Sequence, residues 1–196
     1  MLKFIVIRTS IILIFFVLLT QALYSQEFDS YKNERFFNIT KFSYINVQEV
    51  VFDGFGTGGN NYSSDDSRAY SLQTIGGYFL NPNFSVGVGI GLDGYHNPDF
   101  NTIPLFIDLR GYFVNNKNSA FAFLDIGTLV KASDSYRKGS MVEIGIGYKF
   151  FVASNIAMIG SINGSFKGLS LTDESYKSSD RTVALRGIGF SIGFIF

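Results

Sequence analysis

Beyond residue 35 the chain alternates apolar with small or polar residues at a period of two. In residues 84–93 (FSVGVGIGLD), Phe84, Val86, Val88, Ile90 and Leu92 share one face, and Ser85, Gly87, Gly89, Gly91 and Asp93 share the other. That period marks a strand with one apolar face. Residues 103–113 repeat it: Ile103, Leu105, Ile107, Leu109 and Phe113 oppose Phe106, Asp108, Arg110 and Tyr112. Further on, Val142, Ile144, Ile146, Tyr148 and Phe150 oppose Met141, Glu143, Gly145, Gly147 and Lys149. The chain closes with Ile188, Phe190, Ile192, Phe194 and Phe196 against Gly187, Gly189, Ser191, Gly193 and Ile195. Four weaker segments, about 35–48, 70–81, 120–131 and 155–167, bring the strands to eight. In the first of these the phase is open. Phe37, Ile39, Ile45 and Val47 suit one face, Phe36, Phe42 and Tyr44 equally, and a bulge would reconcile them. No segment after residue 30 has helical spacing of its apolar residues.

Each strand is long enough to cross a membrane at a tilt, which takes about 9–11 residues. The connectors alternate too. Those at 53–68, 96–102, 132–139 and 168–181 are long, and those at 81–83, 115–118 and 152–154 are short. Both chain ends then fall on the short-turn side, the layout of a membrane-spanning barrel.

Composition decides which face points outward. The apolar face is nearly pure Val, Ile, Leu and Phe, with Tyr near strand ends, and the opposite face is mainly Gly and Ser with scattered charges. A water-soluble barrel, apolar inside, needs a solvated exterior rich in Lys and Glu. Reversed, the apolar band meets lipid, closure of the sheet satisfies every backbone group, and small residues suit a narrow interior. The expectation is an all-β, eight-stranded antiparallel up-and-down transmembrane barrel over residues 35–196.

Ahead of it, residues 1–25 read as a cleavable secretory signal. Lys3 and Arg8 open it, IILIFFVLL occupies 11–19, and small residues allow cleavage after Ala22 or Ser25. That apolar run is shorter than the ~20 residues of a spanning helix. Residues 26–34 are then an N-terminal periplasmic segment. Removing 1–25 takes two bases and no acid from a chain of zero formal charge, leaving about −2. Without a basic excess the chain is no nucleic-acid binder. With no Cys it has no disulfide, thiolate metal site or Cys nucleophile.

Particular runs resemble the small outer-membrane β-barrels of the OmpA/OmpX-like kind, especially the barrel family common in Bacteroidota. They are Ile103-Pro104-Leu105-Phe106 leading to Arg110-Gly111-Tyr112-Phe113, Leu124-Asp125-Ile126-Gly127, Gly145-Ile146-Gly147-Tyr148-Lys149-Phe150, and the closing Gly193-Phe194-Ile195-Phe196. The resemblance implies a cell outer-membrane location. Its implied partners are outer-membrane lipid, including lipopolysaccharide, and the barrel-assembly machinery, which reads an aromatic end such as Phe196. It implies no cofactor and names no extracellular ligand.

Chemistry is sparse. By the strand phases, Asp93, Asp108, Arg110, Asp125, Glu143, Lys149 and Arg186 are expected inside, where opposite charges must pair because an unpaired buried charge is costly. His96, the only histidine, stands where a strand runs into a long loop, near Asp93 and Asp99 in sequence. Some barrels of the resembled kind modify lipid with a rim His and a Ser or acid, but nothing here supplies a nucleophile elbow. The 53–68 loop, with its glycines and Asp65-Asp66, has neither P-loop nor calcium-loop spacing. The expected role is structural, adhesive or surface-interacting, without catalysis. The alternatives are a narrow pore or accessory subunit of a transport system, and a lipid-modifying enzyme built around His96.

Overall fold

The computed structural model describes residues 33–54, 57–62, 66–97, 99–114, 118–133, 136–153, 156–170 and 182–196, with backbone alone for 52–54 and 57–62. The signal at 1–25, most of the 26–34 segment and Asp65 lie outside these residues.

Eight long strands form the wall: β1 (Phe36–Gly54), β3 (Arg68–Asn81), β4 (Phe84–His96), β6 (Pro104–Tyr112), β7 (Ser119–Leu129), β8 (Lys138–Phe151), β9 (Ala157–Ser170) and β10 (Thr182–Ile195). Two short strands, β2 (Thr57–Tyr62) and β5 (Phe100–Thr102), continue the lines of β3 and β6 towards the long-loop end. Neighbours in this order pair antiparallel, and β10 returns to β1, from Ile39↔Ile195 up to Asp53↔Thr182. The sheet is therefore a closed barrel without a lateral edge along its wall. Pro104, which has no N–H, stands at the break between β5 and β6.

The alternation places one face outside throughout. Val88, Ile107 and Ile146 are 62, 54 and 65% exposed. β1 needs no bulge to reconcile its apolar residues. Phe37, Ile39, Ile45 and Val47 point in, while Phe36, Phe42 and Tyr44 point out, so both sets belong to one unbroken alternation. A register shift against β10 comes only between Val47 and Glu49, and it brings Val50 inward next.

The inner face is filled by pairing large with absent side chains. Phe37, Phe106, Phe123 and Phe121 lie directly across from Gly77, Gly89, Gly145 and Gly147. A Cβ at Gly77 or Gly89 would fall 2.2 or 2.3 Å from the facing ring, so each ring occupies the volume its partner vacates. At the short-turn end the rings continue as a ladder, Phe37–Phe79–Tyr112–Phe121, with centroids 4.9, 5.4 and 5.7 Å apart. At the long-loop end Val47, Val50, Leu129, Met141, Leu169, Val183 and Leu185 form an apolar layer, beside Tyr95 stacked on Phe100 at 4.5 Å. Between these apolar ends lies a layer of charge.

Candidate functional site

The charge layer is built from side chains of seven strands. Asp108 and Arg110 are two apart on β6 and therefore on the same face. Arg110 donates from Nε to both carboxylate oxygens of Asp108 at 2.9 Å, and its Nη2 lies 2.9 Å from Oδ2. Asp125 on β7 sits directly across from Asp108, and the ammonium of Lys41 reaches it from β1 at 3.0 Å. Lys41 also stands 4.0 Å from Glu143 on β8. Glu143 in turn lies 3.6 Å from Lys167 of β9. Lys167 donates to Asp93 Oδ2 on β4 at 2.7 Å, and the Thr102 hydroxyl of β5 donates to the same oxygen at 2.6 Å. The result is a chain of alternating sign, Asp125–Lys41–Glu143–Lys167–Asp93, in which Glu143–Lys167 joins the adjacent strands β8 and β9 and the other three links cross the lumen between strands that are not neighbours.

Aromatic faces back the cations. Lys41 stands 4.9 Å from the Phe123 ring, and the Arg110 guanidinium 5.3 Å from both Phe121 and Phe123. Lys149 lies nearer the short-turn end, against Tyr112 at 5.0 Å and Phe151 at 4.8 Å, with Asn33 Oδ1 accepting its hydrogen bond. All eight charged side chains of the described lumen, four acids and four bases, belong to residues 2% exposed or less. Equal numbers in one enclosed space fit the rule that buried charge persists only when balanced by a partner.

The structure places Asp93, Asp108, Arg110, Asp125, Glu143 and Lys149 in the lumen, as the strand phases predict, and Arg186 outside it. Arg186 corrects the sequence reading. Carried back two residues from Ile188, the alternation of β10 puts it on the outer face. There, near the long-loop end, it pairs with Glu49 across the β1–β10 seam at 3.1 Å, with its side chain 59% exposed. Two interior cations escape the sequence reading, Lys41 and Lys167. The signal for Lys167 is its phase with Asn163 and Ser165. The signal for Lys41 is its phase with Phe37 and Ile39, which stays open until β1 is oriented.

His96 is exposed at the long-loop rim. Its carboxylate neighbour is Asp66, with Nε2 to Oδ2 3.7 Å, and Asp66 also pairs with Arg68 at 2.7 Å. Asp93, close to it in sequence, is instead sealed in the lumen on Lys167. The Ser67 hydroxyl is engaged with the Asn97 carbonyl. Among the described residues no group of three His, Asp or Glu side chains is arranged to hold a metal ion. Phe196 pairs by its backbone with Asn38, and its half-exposed ring lies 6.3 Å from that of Phe194 on the outer face.

No family model matches the chain, and no curated protein matches its sequence. Among solved structures it is similar to the outer membrane protein OprG from Pseudomonas aeruginosa, with TM-score 0.51 and 10% identity over 86% of this chain and 98% of that one. It is also similar to the outer membrane protein AlkL in lipid bilayers, with TM-score 0.52 and 12% identity over 88% of this chain and 95% of that one. At such identity the likeness is one of fold: a small eight-stranded outer-membrane barrel.

Proposed function

We propose that the chain is an exported outer-membrane barrel whose closed wall presents its long loops at the cell surface, in a structural or adhesive role without conduction or catalysis. The observation that carries this reading is the inaccessibility of the lumen charges. Arg110, Lys41, Asp108 and Asp125 are 0–2% exposed, whereas a hydrated pore would wet the groups that line it. In this reading the short-turn end faces the periplasm, the signal at 1–25 is cleaved, and the outer band contacts lipid and lipopolysaccharide. The barrel-assembly machinery then reads the end at Phe196. The family likeness to Bacteroidota barrels belongs to the same proposal.

Purified barrel reconstituted in a planar bilayer is expected to give no discrete conductance steps. Stable unitary steps would overturn the closed-wall reading and favour the narrow pore. The assembly role has its own measurement. Deleting Phe196 is expected to lower the outer-membrane pool while the periplasmic pool persists in fractionated cells. Full delivery of a protease-resistant truncated barrel would reduce Phe196 to one more lipid-facing ring.

A further inference from the structure

We propose that the outer face of β1 and β3 is an interface for a second copy of this chain, centred on Asn38, Thr40 and Thr74. These side chains lie on the outward face, in phase with Phe36, Phe42, Leu72 and Tyr78. Thr74 stands at the middle of β3, with exposed Tyr70 on one side of it and exposed Tyr78 on the other, each about 13 Å away along the strand. Outward aromatic rings at the two ends of a strand mark the membrane interfaces, so the Thr74 hydroxyl lies at hydrocarbon depth. Thr40 is directly across from it, and Asn38 is its diagonal neighbour on β1. Other outward polar side chains, such as Thr128, Ser140 and Arg186, stand near the long-loop ends of their strands instead.

The three groups bond to one another. Asn38 Nδ2 donates to Thr74 Oγ1 at 3.3 Å, and Thr40 Oγ1 donates to Asn38 Oδ1 at 3.4 Å. Among the described residues this leaves the second amide hydrogen of Asn38 and the hydroxyl proton of Thr74 without acceptors, and Thr40 Oγ1 without a donor. Hydrocarbon has no water to complete the set, and open polar groups in it are unfavourable. The open groups are complementary to themselves: donors on Asn38 and Thr74, an acceptor on Thr40. Two copies inserted in the same direction are related by a two-fold axis along the membrane normal, which brings this patch against itself, donors to acceptor in both directions. A lipid chain offers neither donor nor acceptor. Shape agrees with chemistry. Gly76, directly across from Asn38, is open, and a Cβ there would meet nothing within 4 Å. It leaves a low spot beside the polar groups, and small residues next to polar ones let membrane-embedded surfaces approach closely and bond.

The chain has no Cys, so one introduced thiol reports proximity. In isolated outer membranes under mild oxidation, Gly76→Cys is expected to give a disulfide-linked species of twice the chain mass. Ile144→Cys, exposed on β8, is not. The purified parent should sediment as a monomer–dimer equilibrium in micelles. Asn38→Leu with Thr40→Val and Thr74→Val makes the band wholly apolar there, so the barrel should keep its heat-modifiable migration while its dimerisation constant falls about tenfold. Equal linkage at both thiols, a parent that stays monomeric, an adduct of Gly76→Cys with a different protein, or undiminished dimerisation of the triple variant would each overturn the second-copy interface. If the triple variant does not fold, the two thiols and the sedimentation of the parent decide. None of these outcomes depends on what the loops do or on whether the lumen conducts.

Discussion

Two arginine–carboxylate pairs of nearly equal length sit in opposite surroundings. Arg110–Asp108, at 2.9 Å, lies inside the lumen with both side chains no more than 1% exposed. Arg186–Glu49, at 3.1 Å, lies on the outer face near the loops, 59 and 37% exposed. The distances say almost nothing about their worth. Water and salt screen the outer pair, and its two long side chains lose freedom by meeting, so the gain is small. The inner pair is sealed from bulk solvent. Its value lies less in the attraction than in the penalty that the surviving charge incurs when its partner is lost. The same alternation that sends Arg110 inward sends Ile107 and Leu109 outward, so one strand of nine residues holds both regimes.

The largest effect is therefore expected from Asp108→Ala, which strands the Arg110 guanidinium and should cost about 3–5 kcal/mol of stability. Urea unfolding of the barrel in micelles measures it. Asp108→Ala combined with Arg110→Leu should recover most of that loss, and equal losses for single and double variants would remove the buried-charge explanation. Next comes Ile107→Arg, one residue away on the lipid face, at about 2–4 kcal/mol for a charge near the bilayer midplane. It should appear as reduced outer-membrane insertion, and undiminished insertion of folded protein would argue for a water-facing exterior.

A smaller effect separates the two faces by volume rather than charge. A Cβ at inward Gly147 would lie 2.5 Å from the Phe121 ring and 2.5 Å from the Gly160 carbonyl oxygen, whereas at outward Gly111 it meets nothing within 4 Å. Gly147→Ala should cost roughly 1–3 kcal/mol through overpacking. Gly111→Ala should stay within about 0.5 kcal/mol, as surface changes do. Comparable unfolding midpoints for the two would deny that the lumen is filled. The smallest effect belongs to Arg186→Ala, which should change stability by about 0–1 kcal/mol and less at high salt. A loss as large as that of Asp108→Ala would mean that the outer pair is desolvated in lipid.

Much of this contrast was legible in the sequence because a strand has only two faces. Val88 and Gly89, or Ile107 and Asp108, must diverge whatever the tertiary structure. β1 was harder, since Phe36 and Phe37 and likewise Tyr44 and Ile45 put bulky residues on both faces. Only the narrow lumen decides between them, by taking Lys41 and Ser43 in phase with Phe37. Arg186 went astray for a different reason. Its phase has to be counted back from Ile188 to place it outside, and the Glu49 partner that accounts for a charge there lies across the seam, 137 residues away in sequence. The contact of Lys41 with Glu143 was beyond periodicity altogether. Alternation tells which side of the sheet a residue takes, but β1 and β8 meet only because the sheet curves until opposite walls face each other.

That closure has a kinetic side. The seam joins Ile39 to Ile195 and Tyr44 to Phe190, so its contacts are separated by most of the chain. Contacts of such separation form late and slow the whole reaction. The entropy of bringing the ends together grows only slowly with loop length, but nothing offsets it until the last strand arrives. No partial product of synthesis is a smaller barrel: a chain ending before β10 leaves β1 with an unpaired edge, however well its other strands have formed. The first strand waits for the last, and until then the chain must be kept from pairing with its neighbours.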